Sequence, residues 1–456
     1  MSGWSRRQLL GSASVAAAGV GWARPGRGST HRWNVLCIVV DSLPAFVLAP
    51  HALDLNRVWS SAMPSMNALA RDGFVLRSAS AVHPEPLPGL AAVWTGRPGS
   101  ETGAMVTGLP ASRSLPLVTD WIAEHGAADV WVSGGPGIPG RTHGRGVRVL
   151  LSDQQSLTGG NLEAARAMSN AIRNRAPGRP WLGVVGLRGL SAMDDLVDSW
   201  RGRKDAPDFG LPDRALPPPP DRTVPEDEPD LIRSVLRAGL PTEGWAESLW
   251  RHYRWSAVRV LAELDRAVGL VVDTLVGSIH AQNTTVILTA ASGHPLGHHG
   301  LVRARAPYGP TLEVPLVVHG PEPGDTKFLV SGLDLAPTLC DLMATPQMPD
   351  PRGYSLRPLW ERSTGSWRTA VRSESLVDGR TLRTEEFAYT RLVGDISEML
   401  FHVRNDPHQV RNLAVQPGYA SVVASHRKAL EALNQKLSPT VAARAGFRAL
   451  PEVLRR

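Results

Sequence analysis

Apolar residues along this chain gather into short unbroken runs, and the stretches between them carry helical spacing. WNVLCIVVDSL is apolar as far as Asp41 and rich in β-branched residues, the pattern of a strand buried on both faces. MNALARDGF then reads as a helix closing on Gly73, and VLRSASAV as the next strand. Further strands are predicted at ADVWVSG, WLGVVGL, TTVILTAAS and VPLVVHG. Helices are predicted at LVTDWIAEHG and RWSAVRVLAELDRAVGLVVDTLVG. This alternation predicts an α/β protein with a mixed, mostly parallel sheet between helix layers. In such sheets ligands sit at the carboxyl ends of the strands, so Asp41, at the end of the first run, falls at the functional edge.

Two segments break the alternation. Residues 203–230 are crowded with Pro and Asp, including Pro217 to Pro220 in a row, and read as a surface excursion within the main domain. PQMPDPRGYSL, near residues 346–355, reads as a boundary. Beyond it come the short strand candidates TEEFAYTRLVG and EMLFHVR, a DP turn and a helix from about Gly418 to Lys436, the makings of a small α+β subdomain. The expected organisation is a leading segment over 1–30, the α/β domain over 31–350 and the small subdomain over 351–456.

Composition narrows this picture. With 456 residues, 42% hydrophobic and 20% charged, the chain suits one large α/β core with an appendage and excludes wholesale disorder. The formal charge of +7 is scattered, with no aromatic-plus-basic groove, so no nucleic-acid partner is expected. Cys37 and Cys340, the two cysteines, fall in a strand and a helix and read as buried free thiols. The start reads as a targeting segment, because Arg6 and Arg7 lead into the weakly apolar LLGSASVAAAGVGWA. SRRQLL resembles a twin-arginine export signal, with a mature start near Arg24 and no transmembrane span in the mature protein. The expected location is the cell envelope, the periplasm or the exterior.

An ordered set of landmarks resembles the sulfatase family of the alkaline-phosphatase-like superfamily. NVLCIVVDSL is similar to its first metal-bearing strand, and AAVWTGRPG to the Thr-Gly-Arg stretch near the nucleophile. TAASGHPLGHHGL is similar to the loop of the second metal strand. PYGPTLEVPLVVHGP, VSGLDLAPTLCDLM, GYSLRPLW and MLFHVRNDPHQVRNLA follow in family order. The resemblance implies a cysteine or serine converted to formylglycine, a divalent cation, usually calcium, caged by carboxylates, and cationic side chains holding the sulfate.

Carried over residue by residue, most of that equipment is missing. Counting back from Thr95-Gly96-Arg97, the nucleophile position falls at Pro86 and the motif arginine at Leu90, while the motif proline persists as Pro88. Asp41 matches the first cage aspartate, but its neighbour is Ser42, and the Asp-His pair of the second metal strand falls at Ala291 and Ser292. Calcium wants six to eight oxygen ligands, several of them anionic. A lone Asp at a strand end reads equally as a hydrogen-bond acceptor. The lysine position falls at Ala304, where Arg303 or Arg305 could substitute electrostatically, and SGGPGIPG (133–140) replaces a family Lys-Trp-His stretch. His83 and Glu85 sit on what reads as a Pro-rich, solvent-facing loop. His294, His298 and His299 crowd another loop, where imidazoles suit a transition metal, although His299 has a plain family equivalent.

The expectation is therefore an exported sulfatase-like protein inactive as a formylglycine-dependent sulfatase, with a binding or accessory role. No cofactor is expected; calcium or another divalent cation would be present if the protein is active. The expected partner is a sulfated or phosphorylated glycan or a small ester. The alternative is a divergent sulfuric- or phosphoric-ester hydrolase or transferase with a rebuilt site in the same cleft.

Overall fold

The computed structural model describes residues 34–435, apart from 49–57, 106–111, 135–142, 206–218, 237–241, 393–396 and a few scattered positions. The proposed leading segment and the SGGPGIPG stretch beyond Gly134 lie outside the described residues.

Strand β1 (Asn34–Ser42) is buried at all nine positions. A strand with no exposed side chain on either face must be covered on both, which is why its sequence is an unbroken apolar run. It pairs in parallel with β5 (Trp181–Leu187) on one side and β6 (Thr284–Ser292) on the other. The eight-stranded sheet runs β4-β3-β5-β1-β6-β7-β2-β8, where β2 is Phe74–Ser80, β3 Asp129–Gly134, β4 Val147–Leu151, β7 Leu316–His319 and β8 Gly324–Ser331. Strand β7 alone is antiparallel to its neighbours, β6 and β2. The sheet is mixed and mostly parallel, as the alternation predicts. The two edge strands β4 and β8 escape the sequence reading because edges need cover only part of their surface and keep polar residues.

The helices that hold the sheet are α1 (Pro64–Asp72), α2 (Pro86–Thr95), α3 (Val118–His125), α4 (Asp153–Arg173), α5 (Ala192–Ser199), α6 (Glu247–Val276) and α7 (Leu335–Leu342). Helix α6 spans 30 residues and turns Leu261, Leu264, Val268, Val271 and Leu275 into the core. It also completes α1. The residue before α1, Met63, has no capping side chain, so Asp265 of α6 supplies the acceptors, taking Ser65 N at 3.1 Å and Met66 N at 2.8 Å. Among the described residues, no helix is long and apolar enough to cross a membrane. Both cysteines are free and buried, as expected, and burial pushes the Cys37 thiol up to about 12.

The C-terminal strands β9 (Ala370–Ser375), β10 (Gly379–Thr384), β11 (Phe387–Arg391) and β12 (Glu398–His402) form a separate antiparallel sheet in the order β12-β11-β10-β9. Leu382, Tyr389 and Leu400 of this sheet pack with Val423 and Leu430 of α8 (Ala420–Gln435). Glu374 ties the two sheets together. Its main-chain N–H donates to the Val82 carbonyl at 2.7 Å. Its carboxylate accepts from Ser100 N at 2.8 Å, from the Ser100 hydroxyl at 2.6 Å and from Arg372 at 2.7 Å.

The Pro- and Asp-rich stretch over 203–230 is not a surface excursion throughout. Pro219, Asp221, Glu228 and Pro229 are buried, Tyr308 donates to Glu228 at 2.7 Å, and Ile232 just beyond joins a core cluster with Leu301 and Tyr308. A segment without periodicity can still be pinned by a few buried anchors, which a reading based on periodicity does not detect.

Replacing Asp265 with Ala leaves two main-chain donors at the start of α1 unpaired in a buried setting. The expected loss is about 3 kcal/mol of unfolding free energy, read from the midpoint shift in a urea titration of the full chain.

Candidate functional site

At the carboxyl edge of the sheet, β1 and β6 run in register, with Ser42 opposite Ser292, so Asp41, Ser42, Ala291 and Ser292 are brought together. The Ser42 hydroxyl donates to the Gly293 carbonyl at 2.6 Å, and the Ser292 hydroxyl donates to the Asp41 carbonyl at 3.1 Å. Asp41 is 3% exposed. One of its carboxylate oxygens accepts from Gly189 N at 2.7 Å and the other from the Ser191 hydroxyl. Burial raises its pKa, and the bonds from Ser191 and Gly189 and the Arg188 charge only partly oppose this. Gly189 is required for the approach, because a Cβ there would lie 2.2 Å from the Ser42 carbonyl oxygen.

This residue set does not fit a calcium ion. A hard cation needs six to eight oxygens with several negative charges. Here the two strand ends offer one carboxylate, both of whose oxygens are already bonded, two hydroxyls engaged with carbonyls, and a methyl at Ala291.

The stretch carrying Pro86 and Leu90 is not a loop but helix α2. Pro86 opens it at a position where proline forfeits no hydrogen bond, and Gly96, at φ +65°, closes it. Leu90 is buried in the main core. The helix lies hard against β6, since a Cβ on Gly89 would come within 2.4 Å of the Ala291 carbonyl oxygen. The Thr-Gly-Arg stretch does structural work: Thr95 donates to the Ala91 carbonyl at 2.6 Å, and Arg97 pairs with Glu101 at 2.7 Å.

His83 and Glu85 are not solvent-facing; they are 1% and 6% exposed. His83 Nδ1 accepts from Glu85 N at 3.0 Å. Burial pushes its imidazole pKa down, against the pull of Glu85 and Glu374. The reason is the junction between the sheets: Val82 is bonded to Glu374 N, so the turn leaving β2 is covered by the C-terminal sheet.

Ala304 is buried and brings no charge. Arg303 is paired with Asp198 of α5 at 2.5 Å, and Arg303 and Arg305 both act electrostatically on Asp194, in the first turn of that helix. Burial pushes the Asp194 carboxyl up to about 7, with the two arginines pulling the other way and Asp41 adding to the rise. The sequence reading passed over Ser191 and Asp194. The available signal was their place: polar residues directly after the carboxyl end of β5, at the edge where α/β sheets bind ligands.

The three loop histidines face three environments. His294 is buried, its Nδ1 accepts from Leu296 N at 3.2 Å, and its Nε2 has no hydrogen-bond partner among the described residues. Burial pushes it down to about 3, so it is neutral at any physiological pH. His299 donates from Nε2 to the His408 carbonyl at 2.8 Å and stacks on Tyr308 at 4.1 Å, and burial pushes it down to about 4. His298 turns instead to Asp221, with Nδ1 at 2.8 and 2.9 Å from the two carboxylate oxygens. His408 stacks on His298 at 5.2 Å and places its own Nδ1 3.7 Å from Asp221. Burial alone would raise the Asp221 carboxyl, but the His298 bond and the charges of His298, His299 and His408 hold it below the usual range. Neither Asp221 nor His408 was picked from sequence, because each reaches the loop from a distant segment.

Comparison with known proteins gives a consistent picture. Residues 297–436 match a family model described as N-sulphoglucosamine sulphohydrolase, C-terminal. A Delta 4,5-hexuronate-2-O-sulfatase of Bacteroides thetaiotaomicron is 27% identical over 203 residues, which is 41% of this chain and 42% of that protein. A choline-sulfatase of Rhizobium meliloti is 28% identical over 200 residues, 42% of this chain and 39% of that protein. The chain thus spans about two fifths of the length of these curated relatives. Among solved structures, a 2-O GAG sulfatase superposes with a TM-score of 0.73 at 19% identity, covering 89% of this chain and 92% of that one. The phosphonate monoester hydrolase of Agrobacterium radiobacter gives 0.71 at 17% identity, covering 89% and 96%; at such identities these two show the fold. The C-terminal segment thus matches a sulfatase family model, the partial relatives are named sulfatases, and the fold is similar to that of sulfatases and phosphonate monoester hydrolases.

Proposed function

We propose that this chain is an exported sulfatase-family protein without sulfate-ester hydrolase activity, retained to bind a sulfated or phosphorylated glycan. One observation carries the reading: the single carboxylate left at the strand ends, Asp41, spends both oxygens on Gly189 and Ser191. Proline at position 86 offers no side chain that can become an aldehyde hydrate, and Leu90, Ala291 and Ala304 bring no charge to a sulfate. The glycan class is suggested by those relatives and structural neighbours that are named for sulfated sugars, one of the latter solved in complex with D-glucosamine-2-N,6-O-disulfate. Export is proposed from the paired Arg6 and Arg7 ahead of an apolar run.

In an assay with an aryl sulfate, a phosphate monoester and a phosphate diester, each with calcium, zinc and manganese, the expected rate equals that of heat-killed protein. Any substrate turned over well above that control overturns the reading. Retention of the chain on a sulfated glycosaminoglycan column, released by salt, is the expected positive result.

A divergent ester hydrolase is the second reading, and Asp194 favours it. A carboxyl that titrates near neutrality beside Arg303 and Arg305, at the ligand edge of the sheet, has the makings of a general acid. If turnover is found, Asp194→Asn abolishes it under this reading. The same variant reports on the titration without any substrate. Because the folded-state pKa is raised, the folded form holds its proton between about pH 4 and 7 where the unfolded chain does not. Stability from this group is full below pH 4 and is lost as pH rises through 7. Asp194→Asn is therefore expected to gain on the parent protein with rising pH, levelling above pH 7 at a difference on the order of a few kcal/mol in thermal or urea unfolding.

A further inference from the structure

The Asp221, His298 and His408 side chains come from three segments far apart in the chain: the Pro-rich stretch, the loop after β6, and the turn after β12. Their ligand atoms nevertheless lie within 4.8 Å of one another. Asp221 and His298 are buried, and His408 is one-third exposed. We propose that these three side chains form a binding site for one divalent transition metal of the zinc class, separate from the calcium position that the strand ends have lost.

Geometry and donor chemistry support this reading. Zinc bonds of about 2.0–2.2 Å in a tetrahedral arrangement set neighbouring donors about 3.3 Å apart. The separations from one oxygen, Asp221 Oδ2, 2.9 Å to His298 Nδ1 and 3.7 Å to His408 Nδ1, bracket that spacing, so small side-chain rotations complete three ligands. Two imidazole nitrogens and one carboxylate select zinc, nickel, cobalt or copper over calcium or magnesium. Asp221 offers a carboxylate oxygen to both imidazoles from a buried position. Its backbone is fixed as well, since its carbonyl accepts from His299 N at 2.8 Å. The exposed side of His408 leaves an approach for the ion and a fourth position for water or an anionic group.

The loop carries a cost that fits such a role. Leu296 and His299 both sit at positive φ, +49° and +55°, where residues with a side chain are strained. Through this twisted backbone, neighbouring residues 298 and 299 turn to different partners: His298 toward Asp221, His299 onto Tyr308. A second anchor is Gly297, at φ +93°, where a Cβ would press within 2.9 Å of both Pro219 and Trp250. That packing holds the loop against the segment that delivers Asp221. A hydrogen-bonded Asp–His pair alone would not account for a second imidazole stacked beside the first and aimed at the same carboxylate.

The full chain, dialysed against chelator and then metal-free buffer, is titrated with zinc by calorimetry and with cobalt(II) by its visible d–d absorption. The expected result is one equivalent of zinc and a tetrahedral cobalt spectrum. His408→Ala and Asp221→Asn are each expected to weaken binding by about tenfold or more, the scale on which even indirect partners of a metal count. Asp41→Asn is expected to bind as the parent does, which keeps this test independent of the reading of the strand ends. Thermal unfolding of each variant confirms that it is folded, and His408, being partly exposed, is the variant best placed to remain so. Zinc uptake below half an equivalent, or uptake unchanged in both His408→Ala and Asp221→Asn, overturns the proposal.

Discussion

The carboxylate of Asp41, sunk at the end of β1 and held by Gly189 and Ser191, is the interaction on which the rest of the sheet edge depends. A buried carboxylate must find compensation, from a cation or from hydrogen-bond donors. Here the protein's own donors take that place, from the segment that follows β5. The bonds stitch β1 to the start of α5, and α5 in turn presents Asp194 and Asp198 to the arginines of the 303–305 stretch. Opposite charges are thereby organised between helix and loop.

Much of this was legible in the sequence, for identifiable reasons. Strands β1, β5 and β6 are buried on both faces and could only be written in apolar residues, so their runs stood out. Asp41, Ala291 and Ser292 could be placed because each ends such a run. Helix α2 was misread as a loop since three prolines and glycines fall within its first turn, where a helix tolerates them. His83 and Glu85 were misplaced as a result: their burial is imposed by the C-terminal sheet through Glu374, a partner nearly 300 positions away. Asp221 and His408 were missed for the same kind of reason. Neither has a local pattern, and their meaning arises only when three separate segments meet. The expectation of no cofactor weighed the strand ends and the loop histidines, without Asp221 and His408 beside them.

Fold and activity rest on different parts of this scaffold. The fold is set by core runs and helix packing, and these persist through the whole described chain. Chemistry rests on a handful of side chains at one edge, and substitution there leaves the architecture intact. The same scaffold can then lend its loops to other uses, and His298 of the histidine cluster lies on the loop leaving β6.

The contact between Gly89 and the Ala291 carbonyl bears on how closely α2 crowds the end of β6. The methyl of Ala291 already faces the backbone of α2, closely enough that a Cβ on Gly89 would stand 3.4 Å from it. The close approach of α2 to position 291 is therefore a matter of main-chain packing, and the absence of a side chain at Gly89 is what permits it.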